Sequence, residues 1–106
     1  MAENHPDLQE ELEVDRETRL EEPPMYRVYL INDDYTPMDF VVDILMTVFR
    51  KSREDANAIM LLVHHQGKGL CGVYTYEVAE TKVDTVHEIA EESGYPLRSI
   101  MERNDL

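Results

Sequence analysis

The sequence predicts an α+β fold, a compact β-α-α-β-α-β sandwich in which three helices cover one face of a three-stranded antiparallel sheet. Three observations carry that expectation. A β-branched and aromatic run, Tyr26–Ile31, opens the well-patterned part of the chain. Apolar residues at helical spacing follow in three separate stretches, each with its own start or stop signal. Finally, 106 residues suffice for one small domain with a modest core.

Each element has a local reason. In the first strand, Tyr26, Val28 and Leu30 fall on one face. Asn32-Asp33-Asp34-Tyr35 is a polar turn whose side chains bond nearby backbone. Thr36 is expected to cap the first helix, with Pro37 at its first position and Asp39 facing the positive end of the dipole. Val41, Ile44, Leu45 and Val48 follow at helical spacing, widened by Phe40 and Phe49. Ser52 starts the second helix and Gly67 ends it, with Ala56, Ile59, Met60 and Val63 as its apolar face. Residues 69–76 alternate as a strand, Leu70, Tyr74 and Tyr76 on one side and Cys71, Val73 and Thr75 on the other. A third helix is expected over about 77–92, with Val78, Ala79, Val83, Val86, Ile89 and Ala90 as its stripe. Ser93-Gly94 stops it, and Leu97 to Glu102 forms the last strand.

The charge is unevenly spread. The formal net charge is −13, and residues 1–24 hold −7 of it, with nine acidic residues and two arginines. That segment has too few apolar residues to offset the entropy of ordering, so residues 1–24 are expected to be a disordered acidic extension and 25–106 the folded domain. It is either a solubilising leader or a tail that a partner engages. The acidity argues against nucleic acid and against anionic membranes as partners. The sequence shows no apolar run near the length of a bilayer span and no basic-then-apolar leader pattern. A single cysteine, Cys71, excludes an internal disulfide and fits a reducing, cytoplasmic setting.

Chemistry has few places to reside. The four glycines, Gly67, Gly69, Gly72 and Gly94, make no phosphate loop, and Gly67-Lys68-Gly69 reads as a helix stop followed by a turn. Cys71 sits mid-strand, where a small buried thiol is the simpler role, so no catalytic residue is assigned. His64 and His65 are adjacent on a helix and point about 100° apart, which does not suit a shared metal ion. With no metal-ligand spacing, neither a metal nor another cofactor is expected.

The string Val28-Tyr29-Leu30-Ile31-Asn32-Asp33-Asp34-Tyr35-Thr36-Pro37-Met38-Asp39-Phe40-Val41 resembles the signature of the ClpS family, bacterial adaptors that deliver N-degron substrates to the Clp AAA+ protease. Met60-Leu61-Leu62-Val63-His64, Gly67-Lys68 with Cys71-Gly72-Val73, and Glu77 through Val83 match that family in order, and Pro96-Leu97 also fits. The resemblance covers about residues 25–102. It implies a non-enzymatic adaptor that binds the free α-amine and the bulky side chain of an N-terminal Leu, Phe, Tyr or Trp.

By that resemblance, Asn32, Asp33 and His64 receive the amine, while Asp34 and Thr36 shape the turn and touch the first residue's backbone. Met38, Val41, Met60, Val63 and Leu97 would line the side-chain pocket, with Met38 as gatekeeper against β-branched residues. Glu77 and Lys82 would dock on the N-terminal domain of the Clp ATPase. Without the resemblance, the apolar set reads as ordinary core and the charged pair as a solvated face. A competing expectation is a regulatory docking module of the ATPase that has no pocket for an N-terminal residue.

Overall fold

The computed structural model describes residues 22–105, so most of the extension expected to be disordered, residues 1–24, lies outside the described residues. Glu22 to Pro24 enter as exposed chain without regular structure. Strand β1 (Met25–Ile31) is the centre of the sheet, which has the order β2-β1-β3 and antiparallel pairing throughout. Val28 and Leu30 are fully buried on the face predicted for them, and Tyr26 packs beside them.

The remaining elements are α1 (Met38–Thr47), α2 (Arg53–Gln66), β2 (Lys68–Thr75), α3 (Tyr76–Ser93) and β3 (Arg98–Arg103). Buried residues from all three helices join Val28 and Leu30 in one cluster, so the expected α+β order and layering are observed. Helix α3 packs against every strand, while α2 packs on both β2 and α1. The start of α2 follows the sequence closely. Ser52 Oγ accepts the Asp55 N–H at 3.1 Å, satisfying one of the donors that a helix start leaves open. At its other end Gly67 adopts φ 92°, a left-handed conformation that costs glycine little, and its N–H donates to Val63 O.

Several local expectations are corrected. Thr36 does not cap α1. Pro37 occupies the cap, its carbonyl accepts the Val41 N–H at 3.2 Å, and no side chain bonds the helix start. The Thr36 hydroxyl instead donates to Asp33 Oδ2 at 2.8 Å, because that carboxylate already gathers the turn's donors. Strand β2 does not alternate evenly. Val28 pairs with Gly72 and Tyr29 with Leu70, which leaves Cys71 as an extra residue in a bulge. The bulge reverses the parity, so Cys71 is buried and Tyr74 packs on the core, while Leu70 and Val73 are exposed. Tyr76 opens α3 rather than closing β2. Val78 is exposed, because Ala79, Val83, Val86 and Ala90 take the inward row and Val78 falls on the next one.

Gly69 lets α2 lie close on β2. A Cβ there would come within 2.8 Å of Val63 Cγ2 and 3.2 Å of Ile59 O. Gly69→Ala is therefore expected to destabilise the fold by about 1–3 kcal/mol, the usual range for overpacking. Urea unfolding at neutral pH measures it, and an unchanged midpoint would contradict the close approach.

Candidate functional site

The ends of three elements meet at one place. Where β1 finishes, the Asn32 N–H donates to Gly67 O at 2.9 Å, which ties the strand's end to the C-terminus of α2. The chain then turns through residues 33–36 before α1 begins. Asp33 organises that turn: Oδ1 accepts the N–H groups of Tyr35 (2.8 Å) and Thr36 (2.7 Å), and Oδ2 accepts the Thr36 hydroxyl. Burial works to raise the Asp33 carboxyl, but these three donors outweigh it and hold the group below its ordinary value. A carboxylate offers about four acceptor positions. Three are used within the turn, and Oδ2 keeps capacity for one more donor.

The turn borders a cleft of about 210 Å³. Asn32, Asp33, Asp34 and Thr36 form part of its lining, Met38 and Val41 come from α1, and Met60, Val63 and His64 come from α2. Met60 and His64 are four residues apart and Val63 lies between them, so one helical face presents all three. Likewise Met38 and Val41 are three apart on α1. The cleft therefore joins two kinds of surface. Its polar part holds two carboxylates, an amide and an imidazole, next to the C-terminus of α2, where the helix dipole favours a cation. Its apolar part has a floor of buried Val41 and Val63 and a rim of Met38, which is 46% exposed, with Met60 partly buried.

All of the amine, turn and pocket residues singled out in the sequence meet in this cleft except Leu97. Leu97 is buried in the core just before β3 and does not line the cleft. Glu77 and Lys82 lie elsewhere, in a more open groove of about 520 Å³ between the end of α1 and α3. There the Lys82 ammonium donates to Val48 O at 2.7 Å, which caps the C-terminus of α1. The sequence did not reveal that structural duty, because it joins residues that are 34 positions apart. The groove is the larger concavity, yet it lacks the cleft's convergence of carboxylates and imidazole.

Burial pushes the Cys71 thiol up to about 12, so it stays protonated and makes a poor nucleophile. Among the described residues, no three His, Cys, Asp or Glu side chains gather as a metal site would need. Among the same residues, no helix is long and apolar enough to cross a membrane.

Known proteins resemble this chain over most of its length. Residues 21–100 match the family model described as ATP-dependent Clp protease adaptor protein ClpS. The ClpS adapter of Desulforapulum autotrophicum is 57% identical over 103 residues, spanning 97% of this chain and 99% of that protein. The ClpS adapter of Helicobacter hepaticus is 56% identical over 90 residues, covering 85% of this chain and 91% of its own. The solved structure of Agrobacterium tumefaciens ClpS2 bound to L-phenylalaninamide superposes with a TM-score of 0.75 at 36% identity, covering 77% of this chain and 99% of that one. The chain belongs to the ClpS family of Clp protease adaptor proteins.

The lowered Asp33 carboxyl has a consequence for stability. In the acid range the folded protein binds fewer protons there than the unfolded chain does. The contribution is complete above the ordinary carboxylate value of 3.8 and is lost as pH falls through the lower folded value. Asp33→Asn is expected to cost about 1–2 kcal/mol near neutrality, since hydrogen bonds to a charged acceptor are the stronger ones. The same variant should lose less stability than the parent on acidification, as read by urea unfolding at about pH 7 and about pH 3. Parallel losses in both proteins would remove Asp33 from that role.

Proposed function

We propose that the cleft binds the first residue of a polypeptide, taking its free α-amine at the polar part and its bulky hydrophobic side chain at the apolar part. The observation that carries this reading is the junction of two carboxylates, an amide and an imidazole with an apolar floor in one cleft of about 210 Å³. A peptide α-amine has a pKa of about 7.7–8 and is mostly protonated near neutrality. Its receptor needs acceptors and negative charge, because charge-assisted hydrogen bonds are the strong ones. In this reading the Asn32 amide oxygen accepts, His64 accepts through a ring nitrogen, and Asp33 supplies charge and the free capacity of Oδ2. Asp34 adds negative charge and, with Thr36, borders the first residue's backbone. The free amine and aromatic side chain of L-phenylalaninamide, bound by the A. tumefaciens relative, are the two features this cleft suits.

Burying a Leu or Phe side chain against Val41, Val63, Met38 and Met60 would contribute on the order of 1.5–3 kcal/mol. Met38 stands at the start of α1 and disfavours a first residue branched at Cβ, such as Val or Ile. The adaptor then delivers such substrates to the Clp ATPase in the cytoplasm, with Glu77 and Lys82 on the surface that meets the ATPase's N-terminal domain. Residues 1–24 assist the hand-over. Adaptor action requires no turnover by the chain itself.

Paired titrations test the reading. Peptides that begin with Leu or Phe are expected to bind, and acetylating their N-terminus should weaken binding by about 2–5 kcal/mol, which is at least ~30-fold. Equal affinity for both forms would sink it and favour a docking module without a pocket. In the same assays Glu77→Lys should keep peptide binding and lose the ATPase, and removal of residues 1–22 should spare peptide binding but impair delivery. Normal delivery by the shortened chain would return the extension to a solubilising role.

A further inference from the structure

Met38 and Met60 have a cavity on each side. Beyond the cleft, a groove of about 260 Å³ runs between α1 and α2, and these two methionines line it together with Asp39, Asp43 and Asn57. They are therefore the partition between the two spaces. The other apolar walls of the cleft differ in kind. Val41 and Val63 are 6% and 3% exposed and belong to the close-packed core. Branching at Cβ restricts their rotamers, and packing behind them leaves nowhere to go. Methionine is unbranched and turns about three side-chain bonds, so it adapts where space allows. Space exists on the groove side.

A cleft with a fixed floor and a movable partition has one direction in which to enlarge, toward Asp39, Asp43 and Asn57. Polar residues line much of that groove, so a methionine entering it displaces solvent rather than breaking core contacts. Asn57 and Asp43 are themselves exposed, Asn57 on α2 and Asp43 on α1. We propose that this groove is the relief space of the cleft: Met38 and Met60 withdraw into it when the first residue is aromatic, and Asn57 and Asp43 set how large a side chain is accepted. The proposal deepens the reading of the cleft as a pocket for an N-terminal residue and rests on it. It assigns a specificity-determining role to two residues that do not line the cleft.

The test fills the groove without touching the cleft. Full-length protein carrying Asn57→Phe is titrated with two peptides identical except for an initial Leu or Trp. The Trp peptide is expected to lose about tenfold or more in affinity, while the Leu peptide changes less than about threefold, as size mismatch in apolar pockets gives roughly 10–200-fold discrimination. Asp43→Leu fills the same space from α1 and should give the same selective loss. It lies on α1, so it guards against a local fault that Asn57→Phe causes in α2, and it preserves the bond from the Thr47 hydroxyl to the Asp43 backbone carbonyl. Equal losses for both peptides, or an unchanged Trp peptide in variants folded by circular dichroism, would overturn the proposal. If the parent protein bound acetylated and free peptides equally, the reading of the cleft would fall, and the relief space with it.

Discussion

The hydrogen bond from the Asn32 N–H to Gly67 O holds the site together. It joins the end of β1 to the end of α2, and much else depends on it. Gly67, left-handed, turns the chain at once into β2, whose first residue Lys68 pairs with Ile31. The same junction fixes where the turn at Asp33 begins. That carboxylate then binds three donors of its own turn, so the path into α1 is set before any ligand arrives. In the proposed reading of the cleft, a turn ordered in advance loses little conformational freedom on binding, which favours affinity.

Under the proposed function, the arrangement also gives a strongly acidic chain selectivity that net charge alone does not. A net charge of −13 gives a diffuse field that salt screens over about 10 Å. Local placement adds what the field cannot: two carboxylates and the C-terminus of a helix beside a cleft with an apolar floor. An ammonium alone satisfies one part and a hydrophobic side chain alone the other. The proposed ligand, an N-terminal residue, offers both, at a fixed separation.

Much of this was legible in the sequence because it rests on local chemistry. The parity of β1, the cap from Ser52 to Asp55 and the stop at Gly67 each follow from residues a few positions apart. The cleft residues were legible through family resemblance, since periodicity alone reads Val41, Met60 and Val63 as core. What escaped depends on partners distant in sequence or on competition for one acceptor. The bulge at Cys71 arises from pairing with β1, and it puts Leu70 and Tyr74, expected on one side, on opposite faces. Thr36 was lost as a cap because Asp33 claims its hydroxyl. Lys82 reaches Val48 O only once α3 lies along α1, and Leu97 went to the core instead of the cleft. The groove behind the methionines is a property of two helices together, which no single stretch of sequence encodes.

The most direct measurement of the central claim is where a minimal ligand is felt. Nuclear magnetic resonance of the protein titrated with L-leucinamide should show the Asn32 side-chain amide, the His64 ring and the methyl groups of Met38 and Met60 responding together, with one common affinity. Changes confined to the groove around Glu77 and Lys82, or to the exposed side chains of Leu70 and Val73, would contradict it.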